Sequence, residues 1–508
     1  ERLRSYRKTA FSNSLTVERD KDAAKLVEQY LTDRSFWFRT KDYLQGLKNG
    51  DGVPFCRSWK DHSLAKKQVD SFSRQNNVSP FTWNRNFCAA KKEVLKRYTR
   101  YRFRRLEYHS LDDILDAVTD WSTSAGIDYL YQHVKGTKKR AFISDRLLSQ
   151  VEEMERKAMK EGSFNRPLLM ATRTQASGAF DDDGNPTNTF KPKMRYVQIV
   201  SLFPIISESR YAEPITHWLK AYNHSAIGKS DEALATWFNA RRHSCHIGGS
   251  WLSLDYSAYD STIPDWLLGA AWDIIEAMFD GPDPLLKILR EDFIHKNFVM
   301  GDRVIPVNHG TSSGSRFTAI VNGIVNELIV LTCAYAFGKR KELKDWTIMG
   351  DDNTSLWEMR KPKLMVLKPL MASYILHNFG IEVNDAKSSI CSIGKDPEFL
   401  SRFWGIHGPH RDKHIVASLL LYPEKRRQYT RSQLRPWITV WSYILAYPTT
   451  MAEFMDVRQF MRDHQPMIES IVWDKETRLQ VPYNVRCYIE MEGKFDKGQG
   501  DVKHLKAC

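Results

Sequence analysis

Two groups of carboxylates stand out by their setting. Residues 252–260 read Leu-Ser-Leu-Asp-Tyr-Ser-Ala-Tyr-Asp, an apolar strand pattern running into Asp255, with Asp260 five positions on. Residues 345–357 read Asp-Trp-Thr-Ile-Met-Gly-Asp-Asp-Asn-Thr-Ser-Leu-Trp, two short strand patterns around Gly350-Asp351-Asp352. That arrangement puts Asp351 and Asp352 at a hairpin tip. An isolated Asp-Asp in a turn is usually turn chemistry. Adjacent carboxylates held between apolar strands, with a third at another strand end, repel one another unless divalent cations neutralise them. Oxygen donors with few His or Cys nearby favour Mg²⁺ or Mn²⁺.

Between the two groups lies His309-Gly310-Thr311-Ser312-Ser313-Gly314-Ser315-Arg316-Phe317-Thr318, leading into an apolar helix. Small residues leave backbone N–H groups free to meet a ligand or template. Thr318, Asn322 and Asn326 fall at i, i+4 and i+8, one polar stripe on that helix. Interhelical hydrogen bonding accounts for the stripe, but not for the loop that feeds it. Upstream, strand patterns at 168–176 and 189–199 flank Asp181-Asp182-Asp183-Gly184-Asn185-Pro186, which reads as a hairpin with a polar turn. Arg173 sits on the outgoing arm, and Lys191, Lys193 and Arg195 on the returning one. Lys193 and Arg195 share a strand face. Such a row suits a phosphate chain, and it also suits an edge strand protected by charge.

These segments belong to a chain of 508 residues with net charge +14, a length that predicts several lobes. Hydrophobic residues at 42% and charged ones at 27% exclude disordered, collagen-like and disulfide-scaffold classes. The positive charge favours a polyanionic partner, nucleic acid or an acidic membrane surface. Residues 91–105 carry eight Lys or Arg interleaved with Tyr98, Tyr101 and Phe103, either a solvated helix face or a phosphate-tracking surface. Seven scattered cysteines imply a reducing compartment, and His243, Cys245 and His246 lie too close in sequence to enclose zinc. The most apolar long run, 318–338, holds Asn322, Asn326 and Glu327, so a buried helix is expected and no membrane span. The chain opens Glu1-Arg2-Leu3-Arg4, without the apolar run of a secretory leader and without Met, so further residues are expected before it.

In their order, Asp255-x₄-Asp260, Ser313-Gly314-x₃-Thr318-x₃-Asn322 and Gly350-Asp351-Asp352 resemble motifs A, B and C of viral RNA-dependent RNA polymerases. The basic ribbon at 191–195 looks like motif F, which lines the NTP entry. Ser124-Ala125-Gly126 looks like motif G beside the template strand. Lys387 is similar to the motif D lysine, and 399–404 to the primer grip of motif E. The resemblance spans about residues 120–410 and is nearest to small double-stranded RNA viruses, picobirnaviruses first and partitiviruses next.

The resemblance implies a mixed α/β (α+β) closed right hand whose palm is an antiparallel sheet backed by helices. Fingers with an N-terminal extension are expected at 1–250, palm at 251–280, a fingers insertion at 281–308, palm again at 309–410 and thumb at 411–508. It implies two Mg²⁺ or Mn²⁺ ions on Asp255, Asp351 and Asp352, and Lys387 as proton donor. NTP contacts would come from Arg173, Lys191, Lys193, Arg195, Asp260, Ser313, Gly314, Thr318 and Asn322, and RNA contacts from Ser124 and Gly126. The expected partners are single-stranded RNA template, nascent RNA, NTPs and a viral capsid protein, inside the virion and in the host cytoplasm. One rival is a reverse transcriptase-like polymerase, which would place a bulky aromatic where Asp260 stands. The other is a non-catalytic, capsid-associated RNA-binding protein, which gives no reason for ordered carboxylates.

Overall fold

Alternation of apolar and polar residues predicts strands before Asp255 and on both sides of Gly350, and all three form. The computed structural model describes the strand 55–57 and residues 78–410, apart from 81, 119, 122, 132–135, 175, 179–193, 246–247, 301–302 and 407. The expected thumb at 411–508 and most of the N-terminal extension therefore lie outside the described residues. So do the Asp181–Asp183 turn, Lys191, Lys193 and His246.

The longer helices are α1 (Arg85–Tyr98), α2 (Leu147–Glu161), α3 (Leu202–Ala221), α4 (Asp231–Ser244), α5 (Asp265–Glu276), α6 (Pro284–Ile294), α7 (Thr318–Ala336) and α8 (Lys361–Phe379). The strands before the first carboxylate are β1 (Phe55–Arg57), β2 (Leu168–Thr174), β3 (Ala176–Gly178), β4 (Met194–Ile199) and β5 (Ser250–Leu254). Then follow β6 (Lys296–Met300), β7 (Arg303–Val307), β8 (Leu343–Met349), β9 (Asp352–Trp357), β10 (Ser389–Ser392), β11 (Glu398–Phe399), β12 (Arg402–Gly405) and β13 (Gly408–His410). Local chemistry sets several ends. Asp283 caps α6, accepting from the Leu285 N–H at 3.0 Å, and Pro284 opens the helix where its missing N–H costs nothing. Gly380 ends α8 with φ +68°.

The central sheet runs β10-β5-β9-β8, antiparallel throughout. It is covered on both faces. Leu252, Leu254 and Trp357 join the main core with α1, α5, α7 and α8, whereas Trp251 and Leu356 meet Phe238 of α4 and Trp404 of β12. Fully burying each of these large side chains stabilises the fold by about 1.5–3 kcal/mol. Because β5 is antiparallel to β9 with Leu254 opposite Asn353, Asp255 emerges beside the β8–β9 tip. Register, then, brings carboxylates about a hundred residues apart to one sheet edge.

The second sheet runs β4-β2-β6-β7. β2 and β4 pair antiparallel, as expected of a hairpin over 168–199, with Arg173 opposite Arg195. β6 adds in parallel to β2, so the 296–307 hairpin builds onto this basic ribbon rather than onto the central sheet. Helix α7 is apolar nearly all round and 78% of its most apolar stretch is buried inside the protein, the pattern of a core helix.

Part of the basic run 91–105 is paired within the fold. Lys91 pairs with Asp273 at 2.7 Å, Arg97 with Glu93 and with buried Glu327 at 3.0 Å, and Arg105 with Glu107 at 2.7 Å. The Arg102 guanidinium donates to the Phe279 carbonyl at 3.3 Å. Lys91 and Arg97 hold α1 against α5 and α7, and Arg102 ties the following segment to the loop after α5. Charge counted along a sequence cannot separate paired from free.

Candidate active site

Asp255 is fixed through its backbone. Its N–H donates to Ser388 Oγ at 3.0 Å, and its carbonyl accepts from the Asn384 N–H at 2.8 Å. The segment carrying Lys387 is thereby tied to the first carboxylate. Beyond it Ala258 takes φ +51°, a left-handed conformation rare outside Gly and Asn, and one short helical turn, Tyr259–Thr262, presents Asp260.

The second carboxylate group sits on the β8–β9 hairpin, whose register Met349 opposite Asp352 leaves Gly350-Asp351 as a two-residue turn. Gly350 supplies the φ of +65° that such a turn needs. Asn326, fully buried on α7, pins this tip: its Nδ2 donates to the carbonyls of Gly350 at 3.1 Å and Asp351 at 2.9 Å. Its Oδ1 accepts from Asn353 Nδ2 at 3.1 Å and from the Tyr256 hydroxyl at 3.2 Å. Asn353 also donates to the Leu254 carbonyl at 3.3 Å. One amide thus joins the segment just after Asp255, helix α7 and the Asp351 turn, and through Asn353 it reaches the strand before Asp255. Asn326→Leu is expected to strand those carbonyls and cost about 1–3 kcal/mol of stability, read as a fall in the denaturation midpoint at unchanged slope. A cost under about 0.5 kcal/mol, the scale of surface changes, would show that the amide is not the tie.

A cleft of about 430 Å³ opens at this edge, and its wall includes Arg195, Asp255, Asp260, Asp351, Asn384 and Lys387. Burial raises the Asp255 carboxyl above its ordinary range and Asp351 adds to the rise, while Lys387 opposes it. Asp352 is pushed up to about 6, first by burial and then by Asp351, Asp255 and Glu398. Among the described residues no three acidic, His or Cys side chains draw close enough to enclose an ion by themselves. The donor set nonetheless fits Mg²⁺: hard oxygens that repel one another, on the rim of an open cleft, suit an ion that takes one or two carboxylates and completes its shell with substrate phosphates.

The remaining residues singled out by the sequence divide between wall and support. Asn322 stands behind Asp260, donating from Nδ2 to Oδ1 at 2.8 Å, and Thr311 Oγ1 donates to the same oxygen at 3.3 Å. Ser313 is bound to Gln198, Gly314 packs on the Gln198 carbonyl, and the Thr318 hydroxyl donates to the Ser312 carbonyl. Gly126 takes φ +66° against Ser201, where a Cβ would come within 2.6 Å of Cα, and its N–H donates to Ser124 Oγ at 3.2 Å. Neither Ser124 nor Gly126 lines the cleft. Of two lysines near the end of this region, Lys387 lines it and Lys395 does not. Asn326, Asn353, Gln198 and Glu398 belong to the site without having been assigned to it from sequence. Asn326 left a trace there as the third member of the polar stripe, and Asn353 as the residue after the Asp351-Asp352 pair.

Comparison with known proteins agrees with this geometry. The family model of viral RNA-dependent RNA polymerases matches residues 63–444. An RNA-directed RNA polymerase of Cryptosporidium parvum virus 1 is 32% identical over 20% of this chain and 21% of its own length. That of Atkinsonella hypoxylon virus is 32% identical over 23% and 18%. The chain thus spans about a fifth of the length of these curated relatives, and 6% of a Ljunganvirus 1 genome polyprotein that is 29% identical over 140 residues. The crystal structure of a human picobirnavirus RNA-dependent RNA polymerase superposes with a TM-score of 0.60 at 14% identity, covering 99% of this chain and 92% of that one. The Sicinivirus 3Dpol RNA-dependent RNA polymerase gives 0.58 at 15%, covering 78% and 84%. At such identities the superpositions establish the right-hand polymerase fold. With the family model spanning three quarters of its residues, the chain belongs to the viral RNA-dependent RNA polymerases, a family of nucleotidyltransferases.

Proposed function

We propose that this chain copies an RNA template by adding NTPs to an RNA 3′-hydroxyl, for replication and transcription of a viral genome. The observation that carries the reading is the convergence of Asp255, Asp351, Lys387 and Arg195 on one cleft from four separate segments. Asp255 and Asp351, with Asp352 beside them, would hold two divalent cations, which when bound acidify the 3′-hydroxyl and offset charge on the triphosphate. Arg195 meets the triphosphate, with Lys191, Lys193 and Arg173, which the motif resemblance assigns to the same role. The 3′-hydroxyl loses its proton to solvent as its oxygen bonds to the α-phosphorus, the bond from that phosphorus to the α–β bridging oxygen breaks, and Lys387 delivers a proton to the departing pyrophosphate. Single-stranded RNA passes Ser124 and Gly126, and the polymerase works with a capsid protein, within the virion and in host cytoplasm.

Sugar choice separates this reading from a reverse transcriptase-like one. Asp260 lines the cleft, and Asn322 keeps a buried Oδ1 with no hydrogen-bond partner among the described residues. Asn322 stands behind Asp260 and holds the carboxylate that faces the cleft, and a site built for a hydroxyl rejects the analogue lacking it. Asp260→Ala and Asn322→Ala are each expected to narrow the NTP-over-dNTP preference by about tenfold to a hundredfold, through loss of NTP use. The double variant should lose less than the sum, since both groups serve one hydroxyl. The assay is incorporation by the purified chain on single-stranded RNA with Mg²⁺ or Mn²⁺. No incorporation with either metal would favour the non-catalytic RNA-binding alternative, and an unchanged preference in both single variants would place ribose recognition elsewhere.

A further inference from the structure

The 310–316 loop lies between the basic ribbon and Asp260 and has no regular structure of its own. It is held by side chains from three elements outside it. Lys296 on β6 is only 4% exposed, and its ammonium donates to the carbonyls of Gly310 at 2.7 Å, Phe293 at 2.9 Å and Ile294 at 3.5 Å. Gln198 on β4 is 3% exposed, and its Oε1 accepts from the Ser313 N–H at 2.9 Å and hydroxyl at 2.6 Å. The Gln198 N–H in turn donates to Ser313 Oγ at 3.0 Å, and a Cβ on Gly314 would lie 2.3 Å from the Gln198 carbonyl oxygen. Glu208 on α3 is 6% exposed and accepts from the Ser315 hydroxyl at 2.9 Å and the Arg316 N–H at 2.7 Å.

Across the loop the contacts reach the ribose side of the cleft. The Gly310 N–H donates to the Ile263 carbonyl at 2.8 Å, and the Thr311 N–H to the Asp260 carbonyl at 2.6 Å. Thr311 also touches the Asp260 carboxylate. The supporting groups are costly. Burial pulls the Lys296 ammonium down to about 7 and pushes the Glu208 carboxyl up to about 7. Buried ionisable groups are weak contributors to stability, and apolar residues would pack such positions at lower cost. What they do provide is direction: each aims at a named backbone group of the loop.

We propose that Lys296, Gln198 and Glu208 are positioning residues for nucleotide selection, fixing the 310–316 loop and through Thr311 the Asp260 carboxylate. The proposal rests on Asp260 meeting the ribose, and it extends that recognition to three residues outside the polymerase signature motifs. Gln198 adds a coupling, because the strand that carries Arg195 to the triphosphate is the strand that holds Ser313. Phosphate and sugar contacts then move as one unit.

The test uses the full chain with two measurements. Hydrogen exchange is followed in peptides covering 310–317, with 343–357 as the reference. The kcat/KM for NTP and for dNTP is normalised to titrated active enzyme. Glu208→Gln, which keeps one acceptor, and Gln198→Leu are the gentler variants, and Lys296→Met is the severe one that need not fold. Each folded variant is expected to speed exchange of the loop at least tenfold with the reference unchanged, and to narrow the NTP-over-dNTP ratio at least fivefold. Ser313→Ala added to Gln198→Leu should cost little more. Unchanged loop exchange overturns the proposal, as does acceleration spread equally over the reference. An unchanged ratio also overturns it. If Asp260→Ala narrows the ratio in the same assay the clamp alone has failed, and if it does not, the ribose assignment beneath it has failed.

Discussion

Replacing Asp351 by Ala is expected to remove nucleotide addition, by at least about 10³-fold in single turnover, while RNA binding stays within twofold. The side chain stands exposed at the tip of a two-residue turn, and the turn itself is held by Gly350 and by Asn326 on backbone carbonyls. The substitution thus removes a carboxylate and leaves the fold that presents it, so stability should change by no more than about 0.5 kcal/mol. Loss of a cation ligand forfeits several kcal/mol of charge stabilisation in the transition state, which sets the size of the effect. Retention of a tenth of the normal rate at saturating Mg²⁺ would remove Asp351 from the central ligand position.

Lys387→Leu is expected to slow single-turnover addition by roughly 10²–10⁴-fold with NTP affinity little altered, as for loss of a general acid. Lys387 lies on the short segment that joins Asn384 to Ser388, both bonded to the backbone of Asp255. Its position relative to the first carboxylate is therefore rigid, and its side chain reaches the same cleft. Lys395→Leu is the control and should retain nearly full activity, since Lys395 does not line the cleft. Equal losses in the two variants would show that the effect is one of net charge. A loss confined to KM would make Lys387 a binding group.

Much of the site was legible because its signals are local. Alternation ending at Asp255, alternation broken by Gly350 and a Gly/Ser-rich loop before an apolar helix each rest on residues within one element. The β11–β12 hairpin was less so. Its turn residues Leu400 and Ser401 take φ +55° and +56°, a conformation that sequence normally announces with Asn or Gly. Here the surrounding packing of Phe399 and Trp404 on Phe238 decides the turn, against local preference.

By itself, then, the sequence determined which carboxylates can work together, the order of the elements that carry them and the family they resemble, because periodicity and turn chemistry act over a few residues. Tertiary structure alone decided that Gln198 holds Ser313 across 115 positions, that Asn322 stands behind Asp260, and that Asn326 ties three segments at the Asp351 turn. It also decided that two cations of the basic run at 91–105, Lys91 and Arg97, pair carboxylates of neighbouring helices. Such contacts depend on the register of one sheet against another and on which helix face is turned inward. A side chain's partner is set by that packing, and the spacing along the chain carries no record of it.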